Sequence, residues 1–224
     1  MKSINNIFSN LAFAVLFIGG SFSAGANELT VIVLDPLKEK PSDVIVYVSP
    51  LFKGDFNTEP TQPIIMDQID KKFAPYVTVL QKGQAINFVN KDDITHHIYS
   101  VSGDNRFAFK VKAGETHSTD SLNTAEEVAM GCNIHDWMSG YALVVDTPYF
   151  AKTDESGQVT FNLPQSGRYQ ISVWHPQLDV KNNKVMEVHE VANDKMTITI
   201  GLPNKLLPIP EQSGHDEFDF LEEY

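Results

Sequence analysis

From residue 28 onward, apolar and polar positions alternate in short runs, and no stretch sustains the 3.6-residue period of an amphipathic helix. Runs rich in Val, Ile, Tyr and Phe, ended by Gly, Pro, Asn or Asp, predict strands over 28–35, 44–49, 64–68, 76–80, 85–90, 96–101, 107–112, 127–131, 141–146, 158–163, 168–174, 185–191 and 196–200. Gln81–Gln84, Ala113–Glu115, Ser139–Gly140, Thr153–Gly157 and Pro164–Gly167 read as turns, and Leu51–Pro63, Lys91–Thr95 and Ser118–Glu126 as loop or polar connection. Many short strands with turn signals between them predict an all-β protein of sandwich or barrel type. The first two strands have no obvious sheet partner near them in sequence. Pro148 marks a boundary between two blocks of strands.

The N-terminus breaks this pattern. Lys2 is followed by an apolar run over 11–19 and then by Ser23-Ala24-Gly25-Ala26, whose Ala24 and Ala26 fit the small-residue rule of a cleavage site. The run is short of the roughly 20 apolar residues that cross a bilayer. A signal peptide over 1–26 and export to the periplasm are therefore expected, with a retained anchor as the competing reading and no membrane span in the mature chain. Residues 1–26 carry one base and no acid, so the remainder holds 16 basic and 29 acidic residues, a net charge of −13. That balance excludes nucleic acid as a partner, because phosphate contacts need Lys and Arg. It suits steering toward a basic redox protein. The final segment, 204–224, is proline-containing and acidic, with little core material.

Export sharpens the meaning of the single cysteine. An unpaired thiol in an oxidising compartment needs an occupant. Cys132 lies in Cys132-Asn133-Ile134-His135-Asp136-Trp137-Met138, so a thiol, an imidazole and a thioether recur every three residues, and the pair His96-His97 upstream can close the set. Cysteine, two histidines and a weak methionine are the donors of a mononuclear copper electron-transfer site: thiolate and imidazole serve both Cu(I) and Cu(II), and a long axial thioether tunes the potential. Cys132 and His135 read less well as a nucleophile and base, because three residues apart on one tight loop beside Met138 suits a shared metal. Zinc accepts Cys and His but leaves the methionine without a role. No second ligand cluster of the kind a multicopper oxidase or nitrite reductase needs is visible, and a non-enzyme is expected.

Residues 64–146, with this loop and with Phe88-Val89-Asn90-Lys91-Asp92-Asp93-Ile94-Thr95-His96, resemble a Greek-key cupredoxin sandwich of the plastocyanin family, with amicyanin-like loop spacing. The resemblance implies one copper held by His96, Cys132, His135 and Met138, and makes Asn90 the asparagine that braces the ligand loop. The family commonly has Asn after its first histidine, whereas this chain has His97, which strand alternation would turn to the opposite face. Residues 148–203, through Thr153-Asp154-Glu155-Ser156-Gly157, Leu163-Pro164, Gly167-Arg168-Tyr169 and Val173-Trp174-His175, resemble a small carboxypeptidase regulatory-like (transthyretin-type, Ig-like) β-sandwich, and 28–50 resemble its first two strands. The cupredoxin part would then be inserted within that sandwich; the competing reading is an independent N-terminal hairpin on the copper domain. The whole resembles exported proteins labelled methylamine-utilisation or plastocyanin-like. The function this resemblance implies is one-electron transfer between redox proteins, with His135 as the electron exit. The alternatives are copper storage, delivery or tolerance, and a module whose second sandwich engages a glycan or surface partner. His117 reads as a turn or surface residue, His175 as a strand cap or a residue packed at the domain interface, and His189 and His215 as solvent-facing. Trp137 reads as an aromatic wall packed at the site, with part of a docking surface as the alternative.

Overall fold

A computed structural model describes residues 27–54, 56, 62–192 and 195–213; the segment 1–26, residues 214–224 and His215 with them lie outside the described residues. The described chain is all-β. Its strands are β1 (Asn27–Leu34), β2 (Ile45–Pro50), β3 (Ile64–Ile69), β4 (Lys72–Ala74), β5 (Val77–Gln81), β6 (Ile86–Asn90), β7 (His96–Ser100), β8 (Phe107–Val111), β9 (Thr116–Ser118), β10 (Glu127–Cys132), β11 (Ser139–Val145), β12 (Phe150–Lys152), β13 (Gln158–Leu163), β14 (Gly167–Trp174), β15 (Lys184–Val191) and β16 (Met196–Gly201). No helix among the described residues is long and apolar enough to cross a membrane.

Four sheets enclose two main cores. Sheets β13-β1-β16 and β12-β2-β14-β15 face each other across Leu29, Val31, Val33, Val46, Val48, Phe161, Tyr169, Ile171 and Ile198. Sheets β5-β11-β10-β7-β8 and β4-β3-β6-β9 face each other across Met66, Leu80, Ile86, Phe88, Ile98, Val128, Met130 and Val144. The alternation in β1, buried at every second residue, follows from one face meeting the core and the other solvent. The first strands do have partners, far away in sequence: β1 runs antiparallel to β13 and parallel to β16, and β2 runs antiparallel to β14 and β12.

A third apolar cluster joins the two sandwiches. Ile45 and Trp174 of one meet Val77, Val79, Leu143 and Val145 of the other, with Tyr47, Tyr76, Tyr141 and Phe150 at the rim. This explains why all five residues of β5 are buried: Leu80 faces the inner core while Val77 and Val79 face the neighbouring sandwich. Such strands lose the polar-out half of the alternation.

Two details depart from the sequence reading. Ser139 and Gly140 do not turn the chain but begin β11, pairing with Gly131 and Met130. Gly140 is needed there for space, since a Cβ would stand 3.0 Å from the Cβ of Phe73. The short strands β4, β9 and β12 fall where connections were expected. His117 lies on β9, exposed, with its ring stacked 3.9 Å from that of Phe109.

Candidate metal centre

The strand β7 places the histidine pair. Period-two alternation turns His96 inward, fully buried, and His97 outward. Pairing of Cys132 with Ile98, at the end of β10, sets the thiol beside His96. From Cys132 the chain turns back over itself: Asn133 N–H donates to His97 O (3.0 Å) and Met138 N–H to His135 O (3.0 Å). His135 and Met138 are thereby folded into the interior, 7% and 1% exposed, while Ile134 just before them is 54% exposed.

The outcome is a buried cluster of three donors. Cys132 Sγ lies 3.8 Å from His96 Nδ1 and 3.7 Å from His135 Nδ1, and the three ligand atoms all lie within 4.8 Å of one another. Thiolate and imidazole bonds of about 2.3 and 2.0 Å meeting at about 120° span an S···N edge of about 3.7 Å. The two edges observed match that span, so this donor set fits a soft or borderline transition metal. Met138 belongs to the same core cluster as Cys132. The Trp137 ring stands 5.3 Å from that of His135 and packs against this core. His97 stays outside the cluster, with its Nδ1 3.2 Å from Asn133 Nδ2.

Charge in the cluster is arranged by a residue the sequence reading passed over. Asp92 Oδ2 lies 2.8 Å from His96 Nε2, while Asp70 N–H (2.7 Å) and Lys71 N–H (3.0 Å) donate to the same carboxylate. Bonding at Nε2 fixes the ring so that Nδ1 faces the thiol. Burial opposes ionisation of Cys132, but the His96 bond and the backbone N–H groups of Ile134, His135 and His97 outweigh it and bring the thiol from 9.0 down to about 6. Burial likewise works against the His96 imidazolium, yet Cys132 and Asp92 together raise it. Asp92 is lowered against its own burial by His96 and the two backbone donors. A carboxylate four residues before a histidine is a faint sequence signal, which becomes readable only once the 91–95 segment is seen to double back.

Asn90 does its bracing on that same turn. Its Nδ2 donates to Ile94 O (2.7 Å) and Val111 O (3.0 Å), and its Oδ1 accepts from Asp92 N–H (3.0 Å). These described bonds tie down the approach to His96 rather than the 132–138 loop. The other histidines stand apart. His175 is buried, its Nδ1 accepting from Gln177 N–H (3.1 Å), and burial pushes its pKa down to about 4. His189 is half-buried beside Glu187 at 2.8 Å.

No family model and no curated protein matches the chain. Solved structures similar to part of it are cupredoxins. One is a single-residue variant of amicyanin in its reduced Cu(I) form at pH 4, at 18% identity and TM-score 0.35, covering 38% of this chain and 85% of that one. Another is a copper-containing nitrite reductase from Thermus scotoductus SA-01, at 24% identity and TM-score 0.36; it covers 43% of this chain, which spans only 25% of the reductase chain. A purple cupredoxin from Nitrosopumilus maritimus matches at 15% identity and TM-score 0.33, over 37% of this chain and 99% of that one.

Proposed function

We propose that this chain is an exported one-electron carrier that holds a single copper ion through His96, Cys132, His135 and Met138 and exchanges electrons with redox proteins. The observation that carries the proposal is the pair of S···N edges, 3.8 and 3.7 Å, among three buried donors. Bound copper supplies a Cu(I)/Cu(II) couple that this soft donor set accommodates in both states. The chain's own residues do the rest. Asp92 and the turn braced by Asn90 hold the His96 ring, and the depressed Cys132 thiol is ionised near neutrality, ready for a soft metal. Burial of all three donors excludes bulk water. His135 directly follows the exposed Ile134, which offers a surface on which a partner can dock weakly and transiently. The acidic balance of the chain favours a basic partner. In this reading the protein is a carrier rather than an enzyme, it works in the periplasm after cleavage behind Ala26, and its second sandwich is a carboxypeptidase regulatory-like module.

The test is the visible spectrum of the purified protein with Cu(II). An intense thiolate-to-copper band that Cys132→Ser abolishes, together with reversible one-electron cycling at an electrode, supports the proposal. A colourless protein with Cys132 reduced and intact overturns it. Ready loss of the metal to an acceptor apoprotein, without reversible cycling, shifts the role to copper delivery.

A further inference from the structure

The segment after β16 leaves the first sandwich and ends on the loop of the second. Leu202 N–H donates to Leu34 O, Leu206 packs on the first core, and Leu207 N–H donates to Gln177 O (2.9 Å). Pro208 and Pro210 then stiffen the chain. Gln212 then lies against Ser139: Ser139 N–H donates to Gln212 Oε1 (3.1 Å) and Gln212 Nε2 donates to Ser139 Oγ (3.0 Å).

The position of that contact follows from the sheet. On β11, Tyr141 N–H donates to Tyr76 O (2.8 Å), toward the β5 side. Ser139, two residues earlier, points its N–H to the same side, but the β5 ladder begins only at Val77, opposite Tyr141. Gln212 takes the donor that the missing rung leaves open. Ser139 directly follows Met138, so the last fixed point of the 132–138 loop is supplied from 73 residues away. Gln177 donates to the Tyr76 hydroxyl (2.9 Å), and the Tyr76 and Tyr141 rings pack edge to face at 5.6 Å, so the first sandwich braces this corner from a second direction.

We infer that Gln212 is a positioning residue that fixes the Met138 end of the ligand loop and so couples the first sandwich to the metal centre. The coupling to a metal rests on the proposed copper site; the effect on the loop does not. With copper held by His96, Cys132, His135 and Met138, a looser Met138 would weaken the thioether contact, which would disfavour the more highly charged copper state and raise the reduction potential.

Gln212→Met keeps the side-chain length and removes the bonds, whereas Gln212→Glu keeps an acceptor for both Ser139 groups. In metal-free full-length protein, hydrogen exchange at the Met138 amide, which is bonded to His135 O, is expected to run at least about threefold faster in Gln212→Met than in wild type. Gln212→Glu is expected to restore it, and the Ile98 amide in the middle of β7 is expected to be unchanged. In copper-loaded Gln212→Met, the Cu(I)/Cu(II) ratio at fixed poise is expected to rise about threefold, roughly 30 mV by the one-electron relation. Unchanged Met138 exchange overturns the inference whatever the potential does. So does a parallel rise at Ile98, which would make Gln212 a general stabiliser. Faster Met138 exchange in a protein that shows no thiolate-to-copper band upholds the positioning role and removes the copper reading instead.

Discussion

Asp92→Asn isolates the device that orients His96. The wild-type carboxylate receives three donors: Asp70 N–H at Oδ1, and Lys71 N–H and His96 Nε2–H at Oδ2. An amide has one acceptor oxygen and one NH2. If its oxygen faces Asp70, the NH2 meets two donors, and His96 is relieved only by moving its proton to Nδ1, against Cys132. If its oxygen faces His96 and Lys71, Asp70 N–H meets the NH2. At least one hydrogen bond to a charged, largely buried group is lost in either orientation, which costs about 2 kcal/mol. For a chain of this length that lowers Tm by about 4–8 °C. The chemical signature is sharper than the stability change. The wild-type thiol titrates at about 6, and His96 is among the groups that hold it there. With His96 misoriented or less basic, the Cys132 midpoint is expected to climb toward its ordinary 9.0. The sign follows from linkage. The depressed thiol lends stability that is complete above 9.0 and lost as pH falls through about 6, while the raised His96 lends stability that is complete below 6.5 and lost as pH rises through its folded value. The assay is thiolate ultraviolet absorbance against pH in metal-free wild type and variant, with thermal melts alongside. Metal affinity is expected to fall about 10–100-fold, as for other partners that orient a ligating histidine. A variant that melts with wild type and still titrates at about 6 would refute the role given to Asp92.

Two further substitutions test other parts of the structure. Trp174→Ala, at a residue 2% exposed in the cluster between the sandwiches, is expected to cost about 3–5 kcal/mol in chemical denaturation while leaving the thiol midpoint unmoved. A shifted midpoint would mean that the cluster reaches the site. His97→Ala is expected to keep the copper colour and lose only the contact to Asn133, and a colourless variant would place His97 among the ligands.

Much of this architecture is legible in local pattern because β-strands with one buried face write their period into the sequence. The strands that escape it have physical reasons. β4, β9 and β12 span three residues each, too few for an alternation to register. By contrast, β5 and the second half of β11 are buried throughout, yet both are legible as short Val- and Leu-rich runs bounded by turn signals. Ser139-Gly140 carries turn-forming residues, but Gly140 serves close packing against Phe73. At the site, donor types and their three-residue spacing on one loop point to Cys132, His135 and Met138, whereas the choice between His96 and His97 needs the direction of β7. Asp92 and Gln212 are not legible, since a polar residue in a turn and a glutamine in an acidic tail gain meaning only from the backbone donors placed opposite them.

The parallel pairing of β1 with β16 has a consequence for the order of assembly. Leu29 aligns with Met196, almost the whole length of the chain later. Residues 64–145, by contrast, contain every strand of the sandwich that carries the site. Closing the short loops of that inner sandwich costs less entropy than joining β1 to β16. As the chain emerges from its N-terminus, the donor cluster can therefore close first, while β1 waits for β13 on one edge and keeps the other edge open until the final strand arrives. The first strand made is the last one secured, and that interval is when the chain is most open to mispairing.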